Sequence, residues 1–314
     1  MDARDRIVGG IIGLLAGDAL GLPVEFESRL ARLMRPVKEM TGYGVWRKPA
    51  GTWSDDGSLT LATVESLLEK KALDLEDVMR RFSLWMNKGH LSATGKAFDI
   101  GNTTKVAIAN YDRAKPIEDC GLKDEKSNGN GSLMRMLPVA LFYHRHAPND
   151  VAKASKFASA ITHAHLRSRL CCAYYSILVK GMMEGQGLTE TMKLASEEIK
   201  PSLNGKSEER VFDRLVSGKV LSAPSQEIKA GGHVIDTLEA SLWCCHKHDN
   251  FKDAVLEAVN LGDDADTTGA VTGGLAGVMY GIGGVPEKWQ TGIARASMAR
   301  EMAEKFAELI GEQP

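Results

Sequence analysis

Two segments of the sequence carry a glycine at every fourth position, one near the start of the chain and one near its end. Residues four apart share one face of a helix, so each segment would present a ridge without side chains. Two such ridges allow helices to approach unusually closely. Each helical glycine costs about 1 kcal/mol relative to alanine, so eight of them indicate a packing requirement. The two sets are Gly9, Gly13, Gly17 and Gly21, and Gly269, Gly273, Gly277 and Gly281.

The glycine ridges predict one long-range contact. If the two helices pack antiparallel, the end of the first, which leads to Glu25, lies beside the start of the second, which carries Asp264 and Asp266. The alternative is that the spacing arises by chance in a chain with 32 glycines. The packing of these two helices distinguishes the explanations.

Apolar residues at helical spacing dominate the chain and predict helices around 59–68 and 78–86. Alternating strand patterns are missing, and two stretches, 112–131 and 201–231, are irregular, the second a predicted surface excursion. We predict an all-α fold, a single-domain compact multi-helix bundle over residues 1–314. The other predicted helices cover 133–146, 151–163, 168–185, 189–199, 232–246, 251–260, 267–281 and 288–310.

Charge and cysteine content restrict the class of protein. A net charge of −2 disfavours a nucleic-acid partner, because binding to nucleic acid relies on neutralising phosphates. Five cysteines without a framework spacing are typical of a reducing compartment. The apolar run 7–16 is shorter than the ~20 residues of a membrane span, and the residues before it lack the positive charge of a signal peptide. We therefore expect a cytoplasmic protein without a membrane partner.

Two acidic motifs carry most of the chemistry. Residues 260–269 read NLGDDADTTG, and residues 52–57 read TWSDDG. Carboxylate and hydroxyl oxygens are hard ligands that suit Mg²⁺, Mn²⁺ or Ca²⁺. Neither motif alone supplies enough ligands for two cations, but the two together do. The alternative is helix capping, because Ser or Asp before a helix binds its free N–H groups.

Glu25 lies between Val24 and Phe26. A carboxylate in apolar surroundings tends towards a raised pKa, which suits proton transfer near neutral pH. The alternative is a solvated glutamate at the exit of a helix.

A glycine-rich loop precedes a helix that we predict to begin near Ser132, and residues 128–135 read NGNGSLMR. Exposed N–H groups at the start of a helix can hold phosphate. The loop lacks the GK[ST] ending of a Walker motif, so a structural turn is the alternative. His163 and His165 would lie on different faces of a helix, which disfavours a joint zinc site. We expect one of them to contact a ligand.

The ordered set of motifs resembles the ADP-ribosylglycohydrolase family. The motifs are GDALG-x-P-x-E at 17–25, SDD at 54–56, NGNGSLMR at 128–135, TH at 162–163 and GDDADT at 262–267. Each motif is moderately specific, whereas the set in family order, over about residues 7–285, is highly specific. Two departures stand out, because many relatives have threonine where this chain has Ser54 and Gly57.

The resemblance implies an all-α fold with a binuclear centre of two Mg²⁺ or Mn²⁺ ions. Asp263 occupies a position that is more often a neighbour than a ligand. Glu25 and Asp264 are the implied catalytic carboxylates. The implied metal ligands are Ser54, Asp55, Asp56, Asp264, Asp266 and Thr267. The implied substrate contacts, to the ribose and diphosphate, are Asn128, Gly129, Asn130, Gly131, Ser132 and His163.

The activity implied by the resemblance is metal-dependent release of ADP-ribose from a modified side chain, by cleavage at the anomeric ribose carbon. N-linked arginine is the first expectation, because the founding bacterial members act on it. O-linked serine, another ADP-ribosyl adduct and a small ADP-ribosyl molecule are alternatives, as the partner is either a modified protein or a small molecule. Two other classes stay open: a non-catalytic ADP-ribose-binding or crystallin-like protein, and a two-metal phosphoesterase.

Overall fold

The computed structural model describes residues 1–312, whose regular elements are helices, with no β-strand among them. The all-α prediction is confirmed. The helices are α1 (Ala3–Gly21), α2 (Arg29–Met34), α3 (Asp55–Lys70), α4 (Leu75–Lys88), α5 (Asn102–Asp112), α6 (Ile117–Cys120), α7 (Leu137–Tyr143), α8 (Pro148–Ala160), α9 (Leu166–Met183), α10 (Leu188–Leu203), α11 (Glu208–Val216), α12 (Val234–Lys247), α13 (Phe251–Asn260), α14 (Ala265–Tyr280), α15 (Glu287–Gly292) and α16 (Ala296–Gly311).

The two glycine ridges face each other at the centre of the fold. A methyl group built on Gly9 would lie 2.5 Å from the carbonyl oxygen of Gly277, and one on Gly13 would lie 2.5 Å from that of Gly273. Further along, Gly17 meets Gly269 in the same way. Since the numbers rise on one helix as they fall on the other, α1 and α14 are antiparallel. The prediction from glycine spacing is confirmed, and no larger residue fits at these crossings.

α1 is apolar around its whole circumference because it is buried. Within residues 1–312 one helical segment, Ala3–Val24, is long and apolar enough to cross a membrane, and its apolar window is wholly covered by protein. Core helices of soluble proteins have the same composition. The apolar run that begins at Ile7 therefore forms the core of the bundle.

Several helix boundaries differ from the predictions. The helix predicted over 133–146 begins only at Leu137, because residues 131–135 form turns. The stretch predicted as one helix over 288–310 divides into α15 and α16. α2 and α5 were not predicted at all. The helix predicted over 189–199 continues through Pro201 to Leu203.

Candidate active site

The first acidic motif is held in place by Asp18, a buried residue of α1. Its Oδ1 accepts a hydrogen bond from the backbone N–H of Ser54 (2.9 Å), and its Oδ2 accepts one from that of Gly57 (2.9 Å). Burial raises the pKa of Asp18 to about 7, although both N–H groups oppose the shift. The turn before α3 is thereby fixed to a glycine-ridge helix.

Ser54, Asp55 and Asp56 form the entry to α3. The Ser54 hydroxyl accepts the backbone N–H of Asp56 (3.2 Å) and donates to the Asp56 carboxylate (3.1 Å), so capping accounts for Ser54. Capping does not account for the two carboxylates. Asp55 lines a cavity, and Oδ1 of buried Asp56 has no hydrogen-bond partner.

Backbone hydrogen bonds hold the second acidic motif beside Glu25. The N–H of Asp263 donates to the carbonyl of Glu27 (2.8 Å), and the N–H of Phe26 donates to the carbonyl of Asp263 (2.6 Å). Gly262 has φ +79°, and a methyl group there would lie 2.7 Å from the carbonyl oxygen of Glu27. The Asp263 side chain is exposed, so this residue contributes its backbone to the site.

Asp264 directly precedes α14, but its side chain accepts no capping hydrogen bond. The capping explanation is therefore wrong for this residue. Its Oδ2 instead accepts a hydrogen bond from Nδ2 of Asn130 (2.8 Å), which joins the acidic motif to the glycine-rich loop. Its backbone N–H donates to the carbonyl of Ala230 (2.9 Å).

Carboxylates from four parts of the chain meet in one cavity of about 420 Å³. Carboxylate oxygens of Glu25, Asp264 and Asp266 lie within 4.8 Å of one another. Thr267 lines the same cavity, and its hydroxyl donates to the buried Oδ2 of Asp56 (3.3 Å). The antiparallel packing of α1 and α14 thus brings the two acidic motifs and Glu25 to one end of the bundle.

Burial raises the pKa of Asp55, Asp56 and Asp266 well above the ordinary range, and the neighbouring carboxylates add to the shift. Two oxygens, Oδ1 of Asp56 and Oδ1 of Asp266, are buried without a hydrogen-bond partner. Like charges collected out of water require a positive charge before they can all ionise.

Glu25 is 4% exposed, so the alternative of a solvated glutamate is wrong. Burial, with the nearby Asp99 carboxylate, raises the pKa of Glu25 to about 9. The indole N–H of Trp46 donates a hydrogen bond to Oε2 of Glu25. The glutamate is therefore oriented inside the cluster and can hold a proton near neutral pH.

The glycine-rich loop contributes only part of its length to the cavity. Gly129, Asn130 and Gly131 line it. Asn128 instead supports the loop, since its Oδ1 accepts from the Ser168 hydroxyl (3.0 Å) and its Nδ2 donates to a backbone carbonyl. Ser132 is fully buried and accepts from the Ser159 hydroxyl (2.9 Å), so the structure does not bring Asn128 or Ser132 to the cavity wall.

No helix begins at this loop. Residues 131–135 form turns, in which the carbonyl of Asn130 accepts the N–H groups of Leu133 and Met134, and α7 starts five residues after Ser132 at Leu137. The prediction of a helix start near Ser132 is therefore wrong, and phosphate binding by the loop stays a prediction. The backbone of the 129–131 loop itself faces the cavity.

His163 lines the cavity beside this loop, and it is 2% exposed. A methyl group at Gly131 would lie 2.9 Å from Cε1 and 3.3 Å from Nε2 of the ring, so only glycine fits there. His165 does not line the cavity: its Nδ1 accepts the N–H of Arg167 (3.2 Å) at the start of α9. The two histidines thus lie in different places, and ligand contact by His163 stays a prediction.

Comparison with known proteins decides the family. The model of the family described as ADP-ribosylglycohydrolase matches residues 1–314. The chain belongs to the ADP-ribosylglycohydrolase family. It is accordingly a hydrolase of glycosidic bonds.

Relatives of this ADP-ribosylglycohydrolase match over most of their length. The ADP-ribosylarginine hydrolase Tri1 of Pseudomonas putida (strain GB-1) is 32% identical over 304 residues, which are 97% of this chain and 78% of that protein. The ADP-ribosyl-[dinitrogen reductase] glycohydrolase of Rhodospirillum rubrum is 32% identical, over 91% of this chain and 89% of that protein. A solved structure, an ADP-ribosylglycohydrolase-related protein complex, matches with a TM-score of 0.81 and 30% identity, over 98% of this chain and 99% of that chain.

The residues fit the divalent cations that the ADP-ribosylglycohydrolase resemblance implies. The donor set is oxygen only, as Mg²⁺ and Mn²⁺ prefer. Within residues 1–312, burial and neighbouring acids dominate the pKa of Asp55, Asp56 and Asp266, and no arginine or lysine is among the main causes. The buried unpaired oxygens of Asp56 and Asp266 are acceptors that a cation would satisfy. Glu25, predicted as a proton-transfer group, also lies within ligand distance of Asp264 and Asp266.

Gly57, where many relatives have threonine, is explained by packing. A methyl group there would lie 2.7 Å from Cγ of Trp53 and 2.7 Å from Cδ2 of Leu15. The tryptophan occupies the room that a side chain would need. The hydroxyl that this position lacks has no space in this enzyme.

Sequence reasoning missed Asp99, which lines the cavity and has φ +56°. Burial, with the nearby Asp264 carboxylate, raises its pKa to about 6. No motif surrounds this aspartate in the loop before α5, and its left-handed backbone is the kind of strain that accumulates at functional sites. Its one sequence signal is the following Gly-Asn-Thr-Thr stretch at 101–104, which leads into α5 and also lines the cavity.

The 201–231 segment was predicted as a surface excursion, but Ala230 within it and Gly232 just after it hold parts of the site through their carbonyls. Arg167 at the start of α9 pairs with Glu208 of α11 (2.9 Å) and with Glu125 before the glycine-rich loop (2.8 Å). The carbonyl of Gly232 accepts the N–H of Asn130 (3.0 Å), and Gly232 lines the cavity. This segment therefore holds the glycine-rich loop against the acidic cluster.

Proposed function

We propose that this enzyme hydrolyses the N-glycosidic bond of ADP-ribosyl-arginine, with two Mg²⁺ or Mn²⁺ ions bound by the acidic cluster. The name of the Tri1 relative at 32% identity, an ADP-ribosylarginine hydrolase, supports arginine as the acceptor. The proposed ligands are Ser54, Asp55, Asp56, Asp264, Asp266 and Thr267.

The observation that carries the proposal is the mixed lining of one cavity. The carboxylates of Glu25, Asp55, Asp99, Asp264 and Asp266 line it, and so do the 129–131 loop, Lys126 and His163. A substrate that is anionic in its diphosphate and gains positive charge at its ribose during cleavage matches this combination.

Bound cations would orient the ribose hydroxyls and lower the pKa of water. Glu25 transfers a proton between the attacking water and the leaving nitrogen, because its raised pKa allows it to hold that proton. Asp264 stabilises the positive charge that develops on the ribose ring. The 129–131 loop fixes the diphosphate, which orients the scissile bond.

The test is release of intact ADP-ribose from arginine-modified and serine-modified peptides, each with Mg²⁺, with Mn²⁺ and with chelator. We expect chelator-sensitive release from the arginine peptide. Release from the serine peptide alone would move the acceptor to serine, and release of free phosphate would indicate a phosphoesterase. Binding of ADP-ribose without release from either peptide would indicate a binding protein.

The proposed partner is an ADP-ribosylated protein or a small ADP-ribosyl molecule, and the proposed location is the cytoplasm. The five cysteines are all unpaired and buried, which supports a reducing compartment.

A further inference from the structure

Arg135 is a buried cation in this fold with no counter-ion. It lies beneath the glycine-rich loop and is fully buried, with its guanidinium 4.7 Å from the ring centre of Phe82. Nη2 donates to the carbonyl of Ala158 (3.0 Å) and to the hydroxyl of Thr162 (2.9 Å), while Nε and Nη1 have no partner. Burial lowers its pKa only to about 10, so it stays charged at neutral pH.

The hydrogen bond between Arg135 and Thr162 has a defined donor and acceptor. A guanidinium has donors and no acceptor, so the Thr162 oxygen must accept from Arg135. The same oxygen lies 2.9 Å from Nδ1 of His163. Among the hydrogen bonds of residues 1–312, Nδ1 of His163 is the one acceptor to which the Thr162 hydroxyl can donate its proton. An Nδ1–H on His163 would leave the Thr162 hydroxyl proton without an acceptor among these contacts, so the arrangement favours an unprotonated Nδ1 that accepts from Thr162.

The other edge of the ring faces the cavity. A neutral imidazole carries one proton, so an unprotonated Nδ1 places it on Nε2. Nε2 and Cε1 are the ring atoms nearest to Gly129 and Gly131. Burial, with the nearby Arg135 charge, lowers the pKa of His163 to about 3, so the ring is neutral at working pH.

We propose that Arg135 and Thr162 are positioning residues that fix His163 as a neutral Nε2–H donor to a diphosphate oxygen of the substrate. The inference rests on the proposed function for the identity of the anion. The contact from Arg135 reaches the cavity through Thr162 and the His163 ring. His163 therefore contributes binding and orientation, and proton transfer stays with the carboxylates.

The tautomer of His163 can be measured without substrate. Histidine-selective ¹⁵N labelling, with His163→Gln to assign one of the eight histidines, distinguishes the tautomers by long-range ¹H–¹⁵N correlation. We expect the Nε2–H form of His163 in the wild type. The Nδ1–H form or an imidazolium at pH 7 would overturn the proposal, whatever the enzyme's substrate.

The effect on binding is measured by titration with ADP-ribose. Thr162→Val removes the hydroxyl and keeps the shape, and we expect Kd and KM to rise about tenfold, with kcat within about twofold. Thr162→Ser restores the hydroxyl and should restore both constants. The matched control is Thr191→Val, because Thr191 is also fully buried and its hydroxyl donates to a backbone carbonyl (2.8 Å) away from the cavity.

Two outcomes contradict the proposal: equal effects of Thr162→Val and Thr191→Val, or a loss of kcat without a change in Kd. If Thr162→Val does not fold, the tautomer of the wild type and of Thr162→Ser still decides. Failure of the proposed function is distinct, because it would leave ADP-ribosyl-arginine intact while the tautomer and the ADP-ribose Kd behave as expected.

Discussion

Two groups of acidic side chains in this protein, each with a buried aspartate, differ in whether an arginine pairs with them. On α4, Arg81 is 4% exposed and pairs with Asp77 (2.7 Å), and also with Glu65 and Glu69 of α3. We call these four residues the arginine cluster. In the active site, Asp55, Asp56 and Asp266 are equally buried and lie among further carboxylates.

The pKa shifts follow from this difference. Burial opposes ionisation of Asp77, but hydrogen bonds from Arg81 and Arg80 outweigh it and lower its pKa to about 2. Burial raises the pKa of Asp266, and Glu25 and Asp264 raise it further. Arginines of the chain supply the positive charge that Asp77 needs in order to ionise. For Asp266 we propose that a bound cation supplies it.

The largest effect should come from removing a carboxylate of the active site. Asp55→Ala or Asp266→Ala should lower kcat/KM about a thousandfold or more, because cations contribute several kcal/mol to such transition states. We expect Mn²⁺ to raise the melting temperature of the wild type, and we expect the variants to remain folded and to lack that stabilisation. Asp77→Ala is the matched control and should retain activity. Full activity in either active-site variant would contradict the site assignment.

Glu25→Gln separates proton transfer from ligand binding. We expect kcat to fall about a hundredfold or more, the usual contribution of a positioned acid or base. ADP-ribose affinity should change little, since the amide keeps the shape and can accept from Trp46. Mn²⁺ affinity, measured by calorimetry, shows how far Glu25 is also a ligand. An unchanged kcat would exclude an essential proton-transfer role.

Removing the Arg81 charge tests whether the arginine cluster stabilises the fold without affecting activity. Arg81→Met leaves Asp77, Glu65 and Glu69 without their shared partner, and we expect unfolding to require about 3 kcal/mol less. Specific activity of the folded enzyme should be unchanged. Arg80→Met is the control, because that pair is partly exposed and should contribute at most about 1 kcal/mol. Equal losses of unfolding free energy in Arg81→Met and Arg80→Met would show that burial of the arginine does not determine the size of the effect.

The smallest effect is a pH dependence. Because the folded-state pKa of Asp77 is depressed to about 2, its stabilising contribution is fully present above its unfolded pKa near 4 and is lost as the pH falls towards 2. The free energy of unfolding of Asp77→Asn should therefore be about 2 kcal/mol below that of the wild type at pH 7. The difference should shrink between about pH 4 and pH 2. Urea titrations at each pH measure it, with exposed Asp213→Asn as the control, and a constant difference would contradict the assignment.

The sequence alone determined the features that repeat at short range. Glycine at every fourth position predicted the antiparallel pair of α1 and α14, because one register along a helix specifies a whole contact surface. Apolar spacing predicted the all-α class, and the motif set indicated the family. Glu25, Asp264 and Asp266 could be predicted as neighbours for the same reason, since they lie at one end of the two glycine-ridge helices.

The tertiary structure decided which isolated residues reach the site. Asp18 and Asp99 are single aspartates outside the acidic motifs, and they act on residues far away in the sequence. Asn128 lies inside a motif, yet its side chain supports the loop and does not reach the cavity. Gly232, just after the irregular 201–231 segment, lines the cavity because its carbonyl accepts a hydrogen bond from the backbone N–H of Asn130. A single long-range hydrogen bond leaves no period in the sequence, so these placements become visible only once the chain has folded.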